Sequence, residues 1–311
     1  MRRAIVTGGK GFIGRYLVAG LRRRGLRVTT IGRTPLEDPC HVALGGEMWN
    51  VPQLARILRD HEPEAIFHLA GSATGGQAEL EQLNVGLAAS LMQALRETGQ
   101  RPVLIIAGSA TEYGAAIVDS VPISETSECA PIGAYGQTKL AQTRAALAFG
   151  DATGTPVLVA RIFNPIGAGI PPHLALGAFA AQIASVNGSN GTLRTGNIDV
   201  ERDFIDVEHV ATLLHNLALK PEARGIINIC SGEAVRLRLL VDELISVSGK
   251  SIDIEIDPSR VRPQELCVIA GSAALLTKHG EPPPPTDYSA VISSIWTAAQ
   301  QPKASIERRA H

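Results

Sequence analysis

One short stretch near the N-terminus, Thr7-Gly8-Gly9-Lys10-Gly11-Phe12-Ile13-Gly14, constrains this chain more than any other. It follows directly on an apolar run at residues 4–7 and opens a segment of helical period, with Gly8, Gly11 and Gly14 at three-residue intervals. Glycines so spaced permit a tight turn, close backbone approach to a bound anion, and close packing of helix on strand. The helix N-terminus adds unpaired N–H groups and a positive dipole. The order strand, glycine turn, helix therefore predicts a pyrophosphate-binding turn; a purely structural turn is the alternative.

The rest of the chain fits that beginning. Apolar runs at 4–7, 28–31, 65–69, 103–107 and 157–162 alternate with segments of helical period from Phe12, near Leu54, from Leu80 and over 135–149. Such alternation means crossover units and a parallel sheet, so the expected fold is α/β, a Rossmann-type doubly wound parallel sheet. A Pro/Gly-rich stretch at 164–172 breaks the pattern. Residues 1–163 are thus expected to form the dinucleotide-binding domain, and 164–311 mainly a smaller C-terminal α/β substrate-binding lobe, with 204–230 returning to the first domain. In that second part, 174–185, 206–219 and 237–247 read as helices and 226–229 as a buried strand. The four consecutive prolines between Glu281 and Thr286 exclude helix and central strand there, and the polar end, 301–311, is expected to fray.

Composition narrows the ligand. With 29 Lys plus Arg against 30 Asp plus Glu, the net charge of -1 gives no overall field for nucleic acid or an anionic membrane, so anionic ligands must be met by local cations. The longest apolar runs fall far short of the roughly 20 residues of a membrane-spanning helix. The N-terminus lacks the regions of a signal peptide, which leads us to expect a cytoplasmic protein. The four cysteines are widely spread, without C-x-x-C spacing, and the eight histidines show no i,i+4 pattern, so no metal site is expected.

The dinucleotide is chosen near the end of the second strand, where an acidic residue would bond the ribose hydroxyls of NAD. Here stand Gly32-Arg33-Thr34, with no carboxylate between this point and Glu37. Arg33 suits a 2′-phosphate through a forked, charge-assisted contact, which favours NADP(H); otherwise it is a solvated cation like Arg22, Arg23, Arg24 and Arg27. Tyr135-Gly136-Gln137-Thr138-Lys139 sets a phenol and an ammonium four residues apart, on one face of a helix. A nearby cation would lower the phenol pKa and make proton exchange with a carbinol or carbonyl oxygen feasible. Ser109, in Gly108-Ser109-Ala110-Thr111-Glu112-Tyr113-Gly114 just past the fourth strand, can donate to the same oxygen, with Thr111 as substitute. Alone, Ser109 reads as a turn cap and Tyr-x-x-x-Lys as chance; together, after this strand, they suggest an acid–base site.

With those residues in hand, the chain resembles the extended short-chain dehydrogenase/reductases from the N-terminus to about Gly271. The matching landmarks are TGGKGFIG at 7–14, FHLAG at 67–71, NVG at 84–86, GSATEYG at 108–114, YGQTK at 135–139, RIFNPIG at 161–167 and RDFIDV at 202–207. The resemblance implies Ser109, Tyr135 and Lys139 as catalytic residues, with Tyr135 the proton donor or acceptor and Lys139 also bonding the nicotinamide ribose. It implies an NADP(H) site of Gly8, Lys10, Gly11, Phe12, Ile13, Gly14, Arg33, Leu69, Ala70, Gly71, Asn84, Tyr135, Lys139 and Ile162. Substrate contacts are implied at Ser109, Thr111, Glu112, Asn164, Arg202 and Arg262, where Asn164 and Arg202 meet a nucleoside diphosphate and Arg262 completes a cationic clamp.

Within that family the chain is most similar to the GDP-4-dehydro-6-deoxy-D-mannose reductases, through RIFNPIGAG at 161–169, GNIDVERDFIDV at 196–207, INICSG at 227–232 and DPSRVRPQEL at 257–266. This implies NADPH-dependent reduction of a C4 ketone to give GDP-D-rhamnose. A nucleotide-sugar 4-epimerase with tightly held NAD, or a silent NADP-sensing protein, would share parts of the pattern. Three features depart from it: Pro165 follows Asn164 in place of His, GEPPPP at 280–285 lacks a Gly-Trp pair, and His41, Gly45-Gly46 and Trp49 replace an Asp-bearing stretch. The family also implies a homodimer through the helices at 80–95 and 135–149; their Leu83, Leu87, Leu91, Leu95, Leu140 and Leu147 equally suit packing on the chain's own sheet.

Overall fold

The computed structural model describes residues 1–45, 49–261 and 266–301. Its first half contains β1 (Arg3–Thr7), α1 (Phe12–Arg23), β2 (Arg27–Gly32), β3 (His41–Ala43), α2 (Val51–His61), β4 (Ala65–His68), α3 (Gln77–Leu80), α4 (Leu87–Thr98), β5 (Val103–Ser109), α5 (Ala134–Thr153) and β6 (Val157–Ile162). Beyond these come β7 (Asn164–Ile166), α6 (Ala175–Ser185), β8 (Asn190–Thr195), β9 (Glu201–Asp206), α7 (Val207–Ala218), β10 (Gly225–Ile229), β11 (Ala234–Arg236), α8 (Leu237–Ser248), β12 (Ser251–Ile256), β13 (Val268–Ile269), α9 (Ala274–Lys278) and α10 (Tyr288–Ala299).

Seven strands form one parallel sheet in the order β10-β6-β5-β4-β1-β2-β3. Both faces are covered, which is why its strands read as unbroken apolar runs. Along β1, Ala4 and Val6 join a core with Leu17 and Leu21 of α1 and Val210 and Leu214 of α7, while Ile5 joins the opposite core with Leu54, Leu58, Leu91 and Leu95. The chain winds one way from β1 to β3 and the other way from β4 to β10, so the order reverses between β1 and β4. A crevice at the carboxyl ends of the strands follows from that reversal, and open α/β sheets bind ligands there.

The smaller C-terminal lobe gathers α6, α8 and α10 around Phe179, Ile183, Leu240, Leu244, Ile295 and Trp296. A sheet ordered β11-β9-β13, with β7 also paired to β9, and a separate β12-β8 pair complete it. The chain re-enters the first layer between these pieces: β10 pairs with β6, and α7 packs against α1. The prolines after Glu281 lie in a segment without helix or strand. Residues 302–311, most of the stretch expected to fray, lie outside the described residues.

The leucines at helical spacing have a definite use. Leu83, Leu87, Leu91, Leu95 and Leu140 are buried, the first four in the core under α2 and α4, and Leu147 packs on the same core. They fill the chain's own interior, so a dimer through these helices would have to use other residues. Among the described residues no helix is long and apolar enough to cross a membrane, and no group of His, Cys, Asp and Glu could hold a metal ion.

Candidate active site

The glycine turn is built as its sequence demands. Gly8 takes φ +69°, and a Cβ there would stand 2.7 Å from the Ala70 nitrogen and 2.8 Å from the Leu69 carbonyl. At Gly14 a Cβ would stand 2.1 Å from the Gly8 carbonyl oxygen, so only glycine lets α1 pack this close to the turn. The Gly11 N–H donates to the Gly8 carbonyl at 2.9 Å, and no side chain caps α1, whose first turn carries no acidic residue. Its N–H groups are left for an anion. Lys10, Phe12 and Ile13 belong to this turn; Leu69 and Ala70, just past β4, lie against it, and Gly71 lies against Asn84. The cradle fits a dinucleotide pyrophosphate.

At the end of β2, Arg33 is exposed and has no ion pair among the described residues. Lys10 Nζ donates to Thr34 Oγ1 at 3.4 Å, which draws a second cation to the same loop. His41 explains part of the departure noted in the sequence. Its Nδ1 meets Thr30 Oγ1 at 2.8 Å and its Nε2 meets the Thr34 carbonyl at 3.0 Å, which tethers the loop after β2 to the sheet. Trp49 is buried edge-on to His68, ring centroids 5.8 Å apart. Gly46 lies outside the described residues.

Tyr135 and Lys139 sit on consecutive turns of α5, and Ser109 is the last residue of β5, opposite Ile162 of β6. Ser109 Oγ accepts from the Thr111 hydroxyl at 2.9 Å and from the Thr111 N–H at 3.3 Å, leaving its own proton for another acceptor; it hydrogen-bonds Tyr135. Lys139 Nζ donates to the Ala107 carbonyl and to Gln142 Oε1, and burial lowers its pKa from 10.5 to about 8. The expectation that Lys139 lowers the Tyr135 pKa is not met in this geometry. The ammonium is turned to Ala107 and Gln142, and the phenol is raised, first by burial and also by the charge of Glu112, against a lowering hydrogen bond from Ser109.

Asn84 lies in a π-helical turn, Glu81–Gly86, that joins α3 to α4. Single π turns often mark functional positions in helices. Its Nδ2 donates to the Ser72 carbonyl and to Thr138 Oγ1, both at 3.0 Å, and its own carbonyl accepts from Gln142 Nε2 at 2.9 Å. Gln142 thus links Asn84 to Lys139, a connection absent from the sequence reading. Its signal was available: Gln142 stands three residues beyond Lys139, on the same face of α5.

Glu112 is the clearest correction. It was expected among the substrate contacts, yet it is fully buried, and both carboxylate oxygens are engaged inside the protein. Oε1 accepts the Ser109 N–H at 2.8 Å; Oε2 accepts Thr143 Oγ1 and Arg161 Nε, each at 2.9 Å. Arg161, which the sequence reading passed over, is 2% exposed and lies over the Tyr113 ring, 4.6 Å from its centroid. The Tyr113 hydroxyl donates to Asn228 Oδ1 of β10 at 2.6 Å, and its pKa is pushed up to about 12, chiefly by burial.

On the opposite wall, β7 pairs with β9 and brings Asn164 and Arg202 onto neighbouring strands. Asn164 Nδ2 donates to the Asp203 carbonyl at 2.7 Å, and Arg202 Nη1 donates to the carbonyls of Glu201 and Leu266 at 2.8 and 3.0 Å. Asp203 is buried and accepts from Ser231 N and Oγ, Gly232 N and Gly271 N, which ties the wall to the loops after β10 and β13. Arg262, expected to complete the clamp, lies outside the described residues.

Known proteins resemble this chain over most of its length. Residues 4–230 match the model of the NAD dependent epimerase/dehydratase family. The GDP-6-deoxy-D-mannose reductase of Pseudomonas aeruginosa is 32% identical over 282 residues, covering 88% of this chain and 90% of that protein. The dTDP-6-deoxy-L-talose 4-dehydrogenase (NAD(P)(+)) of Kitasatospora kifunensis is 30% identical over 263 residues, 83% of this chain and 82% of that one. Among solved structures, RMD from Pseudomonas aeruginosa complexed with NADPH superposes with a TM-score of 0.81 at 28% identity, covering 96% of this chain and 100% of the other. The extent of these matches leads to one conclusion: the chain belongs to the NAD dependent epimerase/dehydratase family.

Proposed function

We propose that this protein reduces the C4 ketone of a nucleotide-linked 4-dehydro-6-deoxyhexose with NADPH, converting GDP-4-dehydro-6-deoxy-D-mannose to GDP-D-rhamnose. The observation that carries the choice of a reductase is the carboxyl end of β2, where Arg33 stands beside Thr34, which Lys10 reaches, and the first carboxylate in the sequence after the strand is Glu37. A net reduction draws on the NADPH pool, whereas a 4-epimerase regenerates its own cofactor. A relative 32% identical to this chain is named as a GDP-6-deoxy-D-mannose reductase, which supports the same reading.

Gly8, Lys10, Gly11, Phe12, Ile13 and Gly14 would hold the pyrophosphate, Leu69, Ala70, Gly71, Asn84 and Ile162 would line the rest of the cofactor site, and Arg33 would take the 2′-phosphate. When bound, NADPH supplies a hydride equivalent to C4. Ser109 holds the ketone oxygen by a donated hydrogen bond, its other lone pairs engaged by Thr111. Tyr135 gives its phenolic proton to that oxygen as negative charge develops there. To stabilise the phenolate left behind, the Lys139 ammonium has to turn from the Ala107 carbonyl and Gln142 Oε1, which hold it in this structure. Asn164 and Arg202 hold the diphosphate with charge-assisted bonds, together with Arg262. Residues 1–163 with 204–230 would then bind the cofactor and the remainder the sugar nucleotide.

We further propose a cytoplasmic homodimer joined through α4 and α5. The leucines face inward, so the exposed small residues Ala89, Ala141 and Ala148 are the ones that would allow close helix approach.

Purified protein would be mixed with NADPH and freshly made GDP-4-dehydro-6-deoxy-D-mannose while nicotinamide absorbance is followed, beside NADH and Tyr135→Phe controls. The expected outcome is rapid NADPH oxidation, reduced about a hundredfold or more in Tyr135→Phe. If neither cofactor is consumed with this sugar or its dTDP, UDP and CDP counterparts, and the protein carries tightly held NAD, the 4-epimerase reading replaces this one.

A further inference from the structure

A buried ion pair is a weak stabiliser, because an apolar pair of similar volume packs as well or better. The Glu112–Arg161 pair, 0% and 2% exposed, therefore has to be understood by what it holds. Its carboxylate binds three elements at once: the end of β5 through the Ser109 N–H, α5 through Thr143 Oγ1, and β6 through Arg161 Nε. Thr143 stands one helical turn beyond Lys139 and two beyond Tyr135, on the face that carries them. Gly108 leaves room for the contact, since a Cβ there would stand 2.8 Å from Glu112 Oε1. On its far side Arg161 rests on Tyr113, which Asn228 anchors to β10.

We propose that Glu112 is a positioning residue of the proton-transfer group, one that fixes Ser109 against Tyr135 and lends its negative charge to the Tyr135–Lys139 pair. Glu112 never reaches the substrate; it acts through Ser109 and Tyr135, which do, and through Lys139 beside them. The proposal rests on the reductase reading only for the turnover it would modulate.

The charges around the pair support the electrostatic half of this role. Facing Glu112 are Arg161 from β6, Tyr113 beside it, Tyr135 and Lys139 from α5, and Cys129 from the intervening loop, with His68 of β4 beyond Lys139. Burial lowers Lys139, and Glu112 opposes that lowering. Burial raises Tyr135, and Glu112 adds to the raising. A neutral side chain in its place removes both influences, so both groups should release their protons at lower pH.

The test is Glu112→Gln in the full chain, an exchange that keeps shape and removes charge. NADPH-dependent turnover should fall about tenfold or more at little change in the KM for NADPH, and its alkaline limb should move down by about one pH unit. Glu112→Asp, which keeps the charge, should leave the limb where it was. A titration of tyrosinate absorbance, with Tyr135→Phe subtracted, needs no substrate and should show Tyr135 ionising at lower pH in Glu112→Gln. That arm stands even if the sugar assignment fails. A folded Glu112→Gln protein with an unmoved Tyr135 titration and turnover within about threefold of the parent would overturn the proposal. Should the single variant not fold, Glu112→Gln combined with Arg161→Met removes both charges and is read the same way.

Discussion

Replacing Arg33 with aspartate sets a carboxylate where the loop after β2 now offers a guanidinium and the nearby Lys10 ammonium. A charge-assisted bond is worth about 1.5–3 kcal/mol, so the KM for NADPH should rise about ten- to a hundredfold while that for NADH falls or holds. Steady-state kinetics with both cofactors decide it; an unchanged NADPH preference would move recognition of the phosphate away from Arg33. A second prediction concerns His68, whose ring is 1% exposed, bonded at Nδ1 to Thr7 Oγ1, and without a partner at Nε2. Burial holds its pKa near 3 against an ordinary 6.5. Between these values the unfolded chain takes the proton and the native one does not, so stability falls as pH drops through that window, by about 1.4 kcal/mol per pH unit. Above 6.5 the group contributes nothing to the pH dependence. Denaturant midpoints should therefore decline more steeply with acid in the parent than in His68→Gln, and parallel declines would refute the assignment. Arg33, Ser109, Tyr135 and Lys139 could be proposed from the sequence because each is a residue type at a set place in a motif: Arg33 and Ser109 at strand ends, Tyr135 and Lys139 four apart on one helix. Glu112 was misread because a motif gives its position and not its burial, and Arg161, inside an apolar strand, offered no sign of its carboxylate partner until β5 and β6 lay side by side.

At the scale of elements, the glycine turn makes a claim about packing that can be checked without a substrate. Gly14→Ala would bring a Cβ to 2.1 Å from the Gly8 carbonyl, backbone against backbone, so α1 or the turn must shift. Overpacking of this kind costs about 1–3 kcal/mol, and the same shift disturbs the anion cradle. Thermal unfolding should show the loss, and NADPH affinity measured by fluorescence should drop with it; a stable variant with unaltered affinity would mean that α1 can move without consequence. The strands of the main sheet were legible as apolar runs because helices cover both their faces. β3 was not, being three half-buried residues at an edge. The small strands of the second lobe escaped for a related reason: β9, Glu201–Asp206, runs three charged residues, two apolar ones and a charged one, without the alternation that marks a strand, and its partners come from distant parts of the chain. The π-helical turn at Asn84 was equally invisible, since an inserted residue changes the hydrogen bonding of a helix without changing its composition.

For the whole molecule, connectivity argues against two independent domains. The chain leaves the main sheet after β6, returns with α7 and β10, leaves with β11, comes back with α9, whose Leu276 sits in the main core, and ends in α10 on the second core. Neither core can form from one continuous piece, and Asp203 bonds the loops on both sides of the boundary. Cooperative unfolding follows, because melting the second lobe would strip α7 and β10 of the chain that holds their ends. The two tryptophans provide the readout, Trp49 in the core of the main sheet and Trp296 in that of the second lobe. Denaturation curves followed by fluorescence in Trp49→Phe and in Trp296→Phe, each corrected for its own change in midpoint by far-UV circular dichroism, should each coincide with the loss of secondary structure. Transitions that separate in either variant would mean that the lobes melt on their own, and that the crossings act as tethers instead of shared structure. Coincidence would also mean that an NADPH concentration a hundred times its Kd stabilises both lobes together by about 2.7 kcal/mol, although the proposed cofactor contacts lie on the main sheet.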